Sequence, residues 1–169
     1  MKSDEGDDCF RDVSDEMIEY LTKEGIGYVE RAEKSFYIIR ENTRKLVFLL
    51  LSGAGASTLL FLNSIFDRGL FCTGFLICAA GWLLCGGYLA LKGLKPLKRP
   101  TGWTSPEALY FQGVGINELK RRKLEEYCYA GDTMLSINRD LCNIYDSGIN
   151  ASIFTCGLGL VASIPYFFI

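Results

Sequence analysis

The chain reads LVFLLLSGAGASTLLFLNSIF from Leu46 to Phe66, and no Lys, Arg, Asp or Glu interrupts it. Two further stretches share this property: LFCTGFLICAAGWLLCGGYLAL from Leu70 to Leu91, and ASIFTCGLGLVASIPYFFI from Ala151 to Ile169. An α-helix rises about 1.5 Å per residue, so about 20 apolar residues cross the ~30 Å hydrocarbon core of a bilayer. The sequence therefore predicts an all-α integral membrane protein with three transmembrane helices.

Charged residues are confined to the segments outside these three stretches. They make up 22% of the chain, and acidic side chains dominate its first 20 residues. Such an acidic arm does not favour binding to nucleic acid. The residues outside lipid are split among several segments, whereas an enzymatic domain typically needs about 100–150 residues in one piece. We therefore expect helical extensions beside one membrane domain and no separate catalytic domain.

Polarity and helix-breaking residues divide the chain into six segments. Ser14 is the expected N-cap of a first helix, and Gly25 and Gly27 are expected to interrupt that helix before a stalk continues into the first span. Pro and Gly punctuate a basic linker after the second span. The predicted segments are a disordered acidic arm (1–12), cytoplasmic helices and stalk (13–45), a transmembrane hairpin (46–91), a linker with a short helix (92–115), a cytoplasmic helix (116–150) and the third span (151–169).

A long helix beginning near Asn117 carries apolar side chains that recur mostly every three or four residues. This spacing predicts one buried face, for which the stalk before the first span is the simplest partner. The apolar positions are Leu124, Tyr127, Cys128, Met134, Leu135, Leu141, Cys142 and Tyr145.

The distribution of Lys and Arg predicts the orientation in the membrane. The turn between the first two spans holds Arg68 as its one basic residue, and so short a turn makes these spans antiparallel neighbours. Because cytoplasmic flanks carry an excess of Lys and Arg, we expect a cytoplasmic N-terminus and a C-terminus on the far side of the cell inner membrane. The basic flanks are Arg31, Lys34, Arg40, Arg44 and Lys45 before the first span, and Lys92, Lys95, Lys98 and Arg99 after the second.

The chain has seven cysteines and no histidine. Cys72, Cys78, Cys85 and Cys156 fall inside the predicted spans, where a thiol behaves as a small apolar side chain. The lack of a CxxC pair and of His argues against a disulfide framework, a zinc site and a thiol–imidazole nucleophile. Phosphate-binding and hydrolase motifs are also missing. We therefore expect a non-enzymatic protein with no catalytic residue, no metal and no cofactor.

Small residues recur at four-residue spacing in all three spans. In lipid such positions mark close helix–helix contacts, because the hydrophobic effect does not drive helices together there. The contacts form either within one subunit or between copies in a homo-oligomer, and the sequence leaves both open. The candidate packing residues are Gly53, Ser57, Gly74, Gly86, Ala90, Thr155, Gly159 and Ser163.

No ionisable acid or base lies in any predicted span, which disfavours a transporter or a proton relay. An oligomeric pore lined by hydroxyl groups stays open as an alternative, although such groups commonly bond to their own helix. The candidate hydroxyl groups belong to Ser57, Thr73, Thr155 and Ser163.

A basic run, Lys120, Arg121, Arg122 and Lys123, precedes the third span. It suits anionic lipid headgroups or an anionic small-molecule ligand. The alternative is a solvated helix face, because Glu125 and Glu126 follow directly.

The layout from Glu30 to Tyr145 is a cytoplasmic helix, a tight two-span hairpin and a returning helix. With the run Glu30-Arg31-Ala32-Glu33-Lys34 leading into the hairpin, it resembles the small membrane effectors of bacterial conflict systems, including the SLATT-type two-span family. The resemblance implies antiviral defence by oligomers that permeabilise the inner membrane once a cytoplasmic signal triggers them. That family has no catalytic residues, so none is implied here.

Two functions follow as hypotheses. The first is a homo-oligomeric, pore-forming or membrane-perturbing effector, triggered through its cytoplasmic helices by a protein or an anionic ligand. The second is a structural accessory subunit of a larger membrane complex.

Overall fold

The computed structural model describes residues 13–66, 72–96 and 115–163, and this part of the chain is helical apart from short ends. Helix α1 spans Asp15–Phe66, α2 spans Cys72–Gly93 and α3 spans Ile116–Ser163. The predicted all-α class is confirmed for these residues. The acidic arm (1–12), the turn at Arg68, the short helix of the linker and residues 164–169 of the predicted third span lie outside the described residues.

Ser14 caps α1 as predicted. Its hydroxyl accepts a hydrogen bond from the Met17 N–H at 3.4 Å, and its carbonyl accepts one from the Ile18 N–H at 2.9 Å. Asp15 and Glu16 occupy the first turn, where carboxylates are favoured by the positive end of the helix dipole.

The predicted interruption at Gly25 and Gly27 is wrong, because α1 passes through both without a break. Gly25 is buried, and a Cβ there would lie 3.3 Å from Tyr127 Cβ and 3.5 Å from Leu124 Cδ1. The missing side chain allows α3 to approach closely, and this packing offsets the ~1 kcal/mol propensity cost of a glycine inside a helix.

The described residues form two compact units. In the first unit, residues 13–36 of α1 and its lead-in pair with residues 115–138, mostly α3. Asn117 Nδ2 donates to Asp15 Oδ2 at 2.8 Å, and the Tyr28 hydroxyl donates to Asp132 Oδ1 at 2.9 Å. Because the partner residues rise in number together along both helices, α1 and α3 are parallel in this unit.

The apolar face of α3 in the first unit packs as predicted at three positions. Leu124, Tyr127 and Met134 are each no more than 3% exposed, and Tyr127 forms a core cluster with Val29 and Ala130. Leu135 is exposed, so the buried face is narrower than the sequence pattern indicates.

The second unit comprises residues 37–66, 72–96 and 139–163. Here α1 and α2 form the predicted antiparallel hairpin: Gly53 faces Trp82, Gly86 faces Leu50 and Leu51, and Gly93 faces Thr43. Because residue numbers rise along one helix as they fall along the other, the two helices run in opposite directions.

The α3 segment of the second unit packs against α2. Gly148 faces Leu89 near one end of α2, and Gly159 faces Gly74 near the other. Leu141, one of the predicted apolar positions, is 3% exposed. This segment therefore runs antiparallel to α2.

Two described helices, α1 and α2, are long and apolar enough to cross a membrane. Within each apolar window 22% of the residues are buried, and the others are half-buried or exposed. Phe48 is 75% exposed, Leu84 72% and Leu91 75%. The described part of α3 does not meet the same criterion, and the three-span arrangement stays a prediction.

Candidate functional site

The α2–α3 contact is built from small residues on both sides. A Cβ at Gly74 would lie 2.6 Å from the carbonyl oxygen of Gly159, and it would also collide with the Ser163 hydroxyl. A Cβ at Gly159 would lie 2.6 Å from Cys78 Sγ. Real Cβ atoms do not approach other atoms so closely, so these backbones meet because both positions are glycine.

Thr155 takes part in the same α2–α3 contact. Its side chain stands where a Cβ on Gly81 would be. The Thr155 hydroxyl donates to the Ala151 carbonyl at 2.9 Å, and the Ser163 hydroxyl donates to the Gly159 carbonyl at 2.9 Å. Both hydroxyl groups therefore bond to their own helix, as polar side chains in apolar helices commonly do.

The α1–α2 contact uses Gly53, Gly86 and Ala90. A Cβ at Gly53 would lie 2.7 Å from Trp82 Cζ3, and one at Gly86 would lie 3.1 Å from Leu51 Cδ2. Ala90 packs against the cluster of Val47, Leu50 and Leu89. The fourth candidate residue of these two helices in this region, Ser57, is buried, with 6% of its surface exposed.

These packing contacts of the candidate small residues lie within one chain. Three other glycines of the second unit, Gly55, Gly87 and Gly157, have open space where a Cβ would stand. Two further close approaches in the second unit, at Gly93 and Gly148, are not predicted from the sequence because neither glycine lies inside a predicted span. Gly93 and Gly148 each lie one helical turn or less beyond a predicted span boundary, and this position is the one feature of the sequence that points to them.

The basic run lies on α3 in the first unit, and three of its four side chains have partners within the chain. Arg122 Nε is 3.1 Å from Glu118 Oε1, and Lys123 Nζ stands 5.9 Å from the centre of the Tyr127 ring. Arg121 Nη2 donates to the Val13 carbonyl at 3.3 Å, while its Nε is buried with no hydrogen-bond partner in the described part of the chain. Lys120 is half-buried.

A carboxylate and a tyrosine meet in the same unit. The hydrogen bond from the Tyr28 hydroxyl to Asp132 is the main cause that raises the pKa of Tyr28, with desolvation and the carboxylate charge acting in the same direction. Within the described ranges, no three His, Cys, Asp or Glu side chains are grouped closely enough to hold a metal ion.

A groove of about 600 Å³ lies in the second unit, bounded by α1 and α3. Trp82 is the α2 residue that lines it, and its indole Nε1 is buried with no hydrogen-bond partner among the described residues. The walls are mainly apolar and include Leu46, Leu49 and Ala56 of α1, and Ile149, Ile153 and Cys156 of α3. This groove is not predictable from the sequence, because its residues are brought together by the packing of three helices.

A smaller cavity of about 220 Å³ shares Trp82 and Cys156 with the groove. Cys78 and Gly159 also line it.

Comparison of the chain with protein-family models, with curated proteins and with solved structures finds no match.

Proposed function

We propose that this chain is an integral membrane protein with three transmembrane helices: the hairpin of α1 and α2, and a third span that begins in α3 near Ala151. The observation that carries this proposal is the exposure of the apolar windows. A core helix of a soluble protein buries most of its apolar surface, whereas 22% of each window is buried here. Large contiguous apolar surfaces of this kind mark contact with a membrane or a partner.

The helix contacts support the same proposal. Gly74 against Gly159 and Gly81 against Thr155 bring helix backbones together through small residues, which is how helices associate when lipid surrounds them. The serine and threonine hydroxyl groups at Thr58, Thr155 and Ser163 bond to carbonyls of their own helices. These bonds remove the cost of placing an unsatisfied hydroxyl in hydrocarbon.

Location is tested by extraction with alkaline carbonate after expression of the whole chain. An integral protein stays in the membrane pellet and is released by detergent. Release into the carbonate supernatant, at the level of a peripheral control protein, would contradict the proposal.

Within the membrane we propose a non-enzymatic homo-oligomer that perturbs the bilayer as a defence effector, triggered through the first unit. Two features support this. Helices α1 and α3 each contain residues of both units without a break. A change in how the two helices pair in the first unit can therefore be transmitted along the same helices to the second unit. The basic run on α3 supplies a surface for an anionic ligand or an acidic protein.

The effector proposal is tested with purified protein reconstituted in dye-loaded vesicles, together with native mass spectrometry in nanodiscs. A closed homo-oligomer of about four or more copies, with dye release that rises steeply with protein density, is expected. A monomer or dimer that releases no dye over the same range of protein density would contradict the proposal.

One observation favours the second candidate, an accessory subunit of a larger membrane complex. The three open glycines of the second unit have large residues four positions away on both sides, so they form no small-xxx-small pair for a second copy. A hetero-complex of fixed stoichiometry that survives mild detergent, combined with no dye release by the isolated chain, would support this candidate. The flanking residues are Leu51 and Leu59 for Gly55, Leu83 and Leu91 for Gly87, and Ile153 and Val161 for Gly157.

A further inference from the structure

The groove between α1 and α3 has the length of one bilayer leaflet. Its lining on α1 runs from Leu46 to Ala56, which corresponds to about 15 Å along a helix, half of the ~30 Å hydrocarbon core. Its volume of about 600 Å³ falls within the ~300–1,000 Å³ typical of small-molecule sites.

The walls of the groove offer an occupant mainly apolar contacts. Ser152 lines it, but the Ser152 hydroxyl already donates to the Gly148 carbonyl at 2.6 Å. Trp82 presents an aromatic ring, and Leu49 and Ile153 are more than half exposed. An occupant that covers these side chains must therefore be mainly apolar.

Two cations directly precede Leu46, the first residue of α1 that lines the groove. Lys45 is one helical turn before Leu49 on the same helix face, and Arg44 precedes it. Their side chains are 69% and 76% exposed, and both stand near Glu41, at 3.8 Å and 3.9 Å. Exposed ion pairs of this length contribute little, so both cations remain able to bind a phosphate.

We propose that the groove binds one acyl chain of an anionic phospholipid, whose headgroup phosphate lies at Arg44 and Lys45. This inference rests on the proposed membrane location. An acyl chain suits the mainly apolar walls of the groove, and a headgroup phosphate suits the exposed charges of Arg44 and Lys45. A second copy of the chain carries no such pairing of an apolar tail with a negative charge, and the experiments below distinguish the two occupants.

The fluorescence of the Trp82 indole can report whether a lipid chain occupies the groove. The chain has two tryptophans, Trp82 and Trp103, so the Trp103→Phe variant leaves Trp82 as its single indole. This variant is reconstituted in phosphatidylcholine vesicles that contain a small fraction of either phosphatidylglycerol or phosphatidylcholine with brominated acyl chains. Bromine quenches indole fluorescence at short range. We expect brominated phosphatidylglycerol to quench Trp82 at a several-fold lower mole fraction than brominated phosphatidylcholine does.

The headgroup contact is tested with the double variant Arg44→Gln, Lys45→Gln, which changes exposed side chains and leaves the packing untouched. Each lost charge should reduce the preference for phosphatidylglycerol about fivefold. The matched control is Lys23→Gln, Lys34→Gln, two exposed lysines of the first unit, which should keep the preference. A preference that survives in the first variant would overturn the headgroup assignment.

The chain contact is tested by filling the groove. Ala56→Phe places a ring in it, whereas Ala80→Phe adds the same ring to an exposed position of α2 that does not line the groove. Ala56→Phe should abolish the selective quenching and Ala80→Phe should retain it. Equal quenching by both brominated lipids in the parent variant, or protection of Trp82 that grows with protein density, would overturn the inference in favour of bulk lipid or a second copy.

Flotation of the vesicles separates the two proposals. If the chain is not a membrane protein, it does not float with the vesicles and neither lipid quenches Trp82. If the location is right and the lipid site is wrong, the protein floats and both lipids quench equally.

Discussion

At the residue scale, two glycines of α3 show that one residue type has opposite roles depending on its surroundings. Gly159 lies against α2, where a Cβ would stand 2.6 Å from Cys78 Sγ and 3.1 Å from the Gly74 carbonyl oxygen. Gly157, two residues earlier, faces open space. The sequence marks both as small, and the packing alone distinguishes them.

Gly159→Leu should therefore lower the stability of the protein in detergent by about 1–3 kcal/mol or more, because the new side chain must push α2 away from α3. Gly157→Leu is the matched control on the same helix and should be tolerated. Thermal unfolding followed by circular dichroism measures both. Equal melting temperatures of the two variants would show that α2 and α3 are not in close contact at Gly159.

Tyr28 predicts a pH dependence that is specific to the first unit. Its hydroxyl donates to Asp132 at 2.9 Å, and this bond raises the pKa of Tyr28. Because the folded state favours the protonated hydroxyl, its stabilising contribution is complete below the ordinary tyrosine pKa of about 10 and is lost as the pH rises through the higher pKa of the folded state.

The difference in stability between the wild type and Tyr28→Phe should therefore be small and constant up to about pH 10 and shrink above it. Thermal melts of both proteins across this range measure it, since the other titrating groups are common to both. A difference that stays unchanged above that pH would show that the Tyr28–Asp132 bond does not contribute.

At the element scale, α1 shows how packing overrides local propensity. Gly25 and Gly27, the two glycines of α1 in the first unit, provide a test. Gly27→Ala should raise the melting temperature, because a Cβ there meets the flexible end of Arg31 at 3.4 Å and the helix gains about 0.5–1 kcal/mol in propensity. Gly25→Ala should lower it, since the Cβ would press on Tyr127 Cβ at 3.3 Å, close to the α3 backbone. A gain in both variants would mean that Gly25 is not a packing position.

Most element boundaries follow from local physics and are predictable from the sequence. Ser14 begins α1 because it supplies a cap, and α1 and α3 each continue from polar into apolar sequence because no Pro intervenes. The predicted break at Gly25 fails because the cost of a helical glycine, about 1 kcal/mol, is smaller than the gain from packing α3 against it. Leu135 is likewise exposed although its spacing fits the apolar face.

At the scale of the whole molecule, the proposed membrane location can be tested on the exposed apolar surface of α2. Leu84 lies near the middle of α2 and is 72% exposed. In a membrane, Leu84→Arg should impair insertion by about 2.5–3.5 kcal/mol, and the amount of protein in the carbonate-resistant fraction should fall. Glu24→Arg, at an exposed position of the first unit, is the control and should leave that fraction unchanged.

The opposite result has an equally clear meaning. In a soluble protein an exposed arginine at Leu84 improves solubility, so a Leu84→Arg variant with a larger soluble fraction and an unchanged fold would contradict the membrane proposal.

The sequence alone determines the helical class, the cap at Ser14, the antiparallel hairpin and the apolar character of the candidate spans, because these depend on neighbours along the chain and on composition. Tertiary structure alone decides which glycines lie at contacts, how Trp82 stands over Gly53, and where the groove between α1 and α3 opens. The physical reason is that a close contact depends on the side chain opposite. Residues such as Gly74 and Gly159, which meet in space, are far apart in sequence, and the spacing within one helix carries no record of its partner.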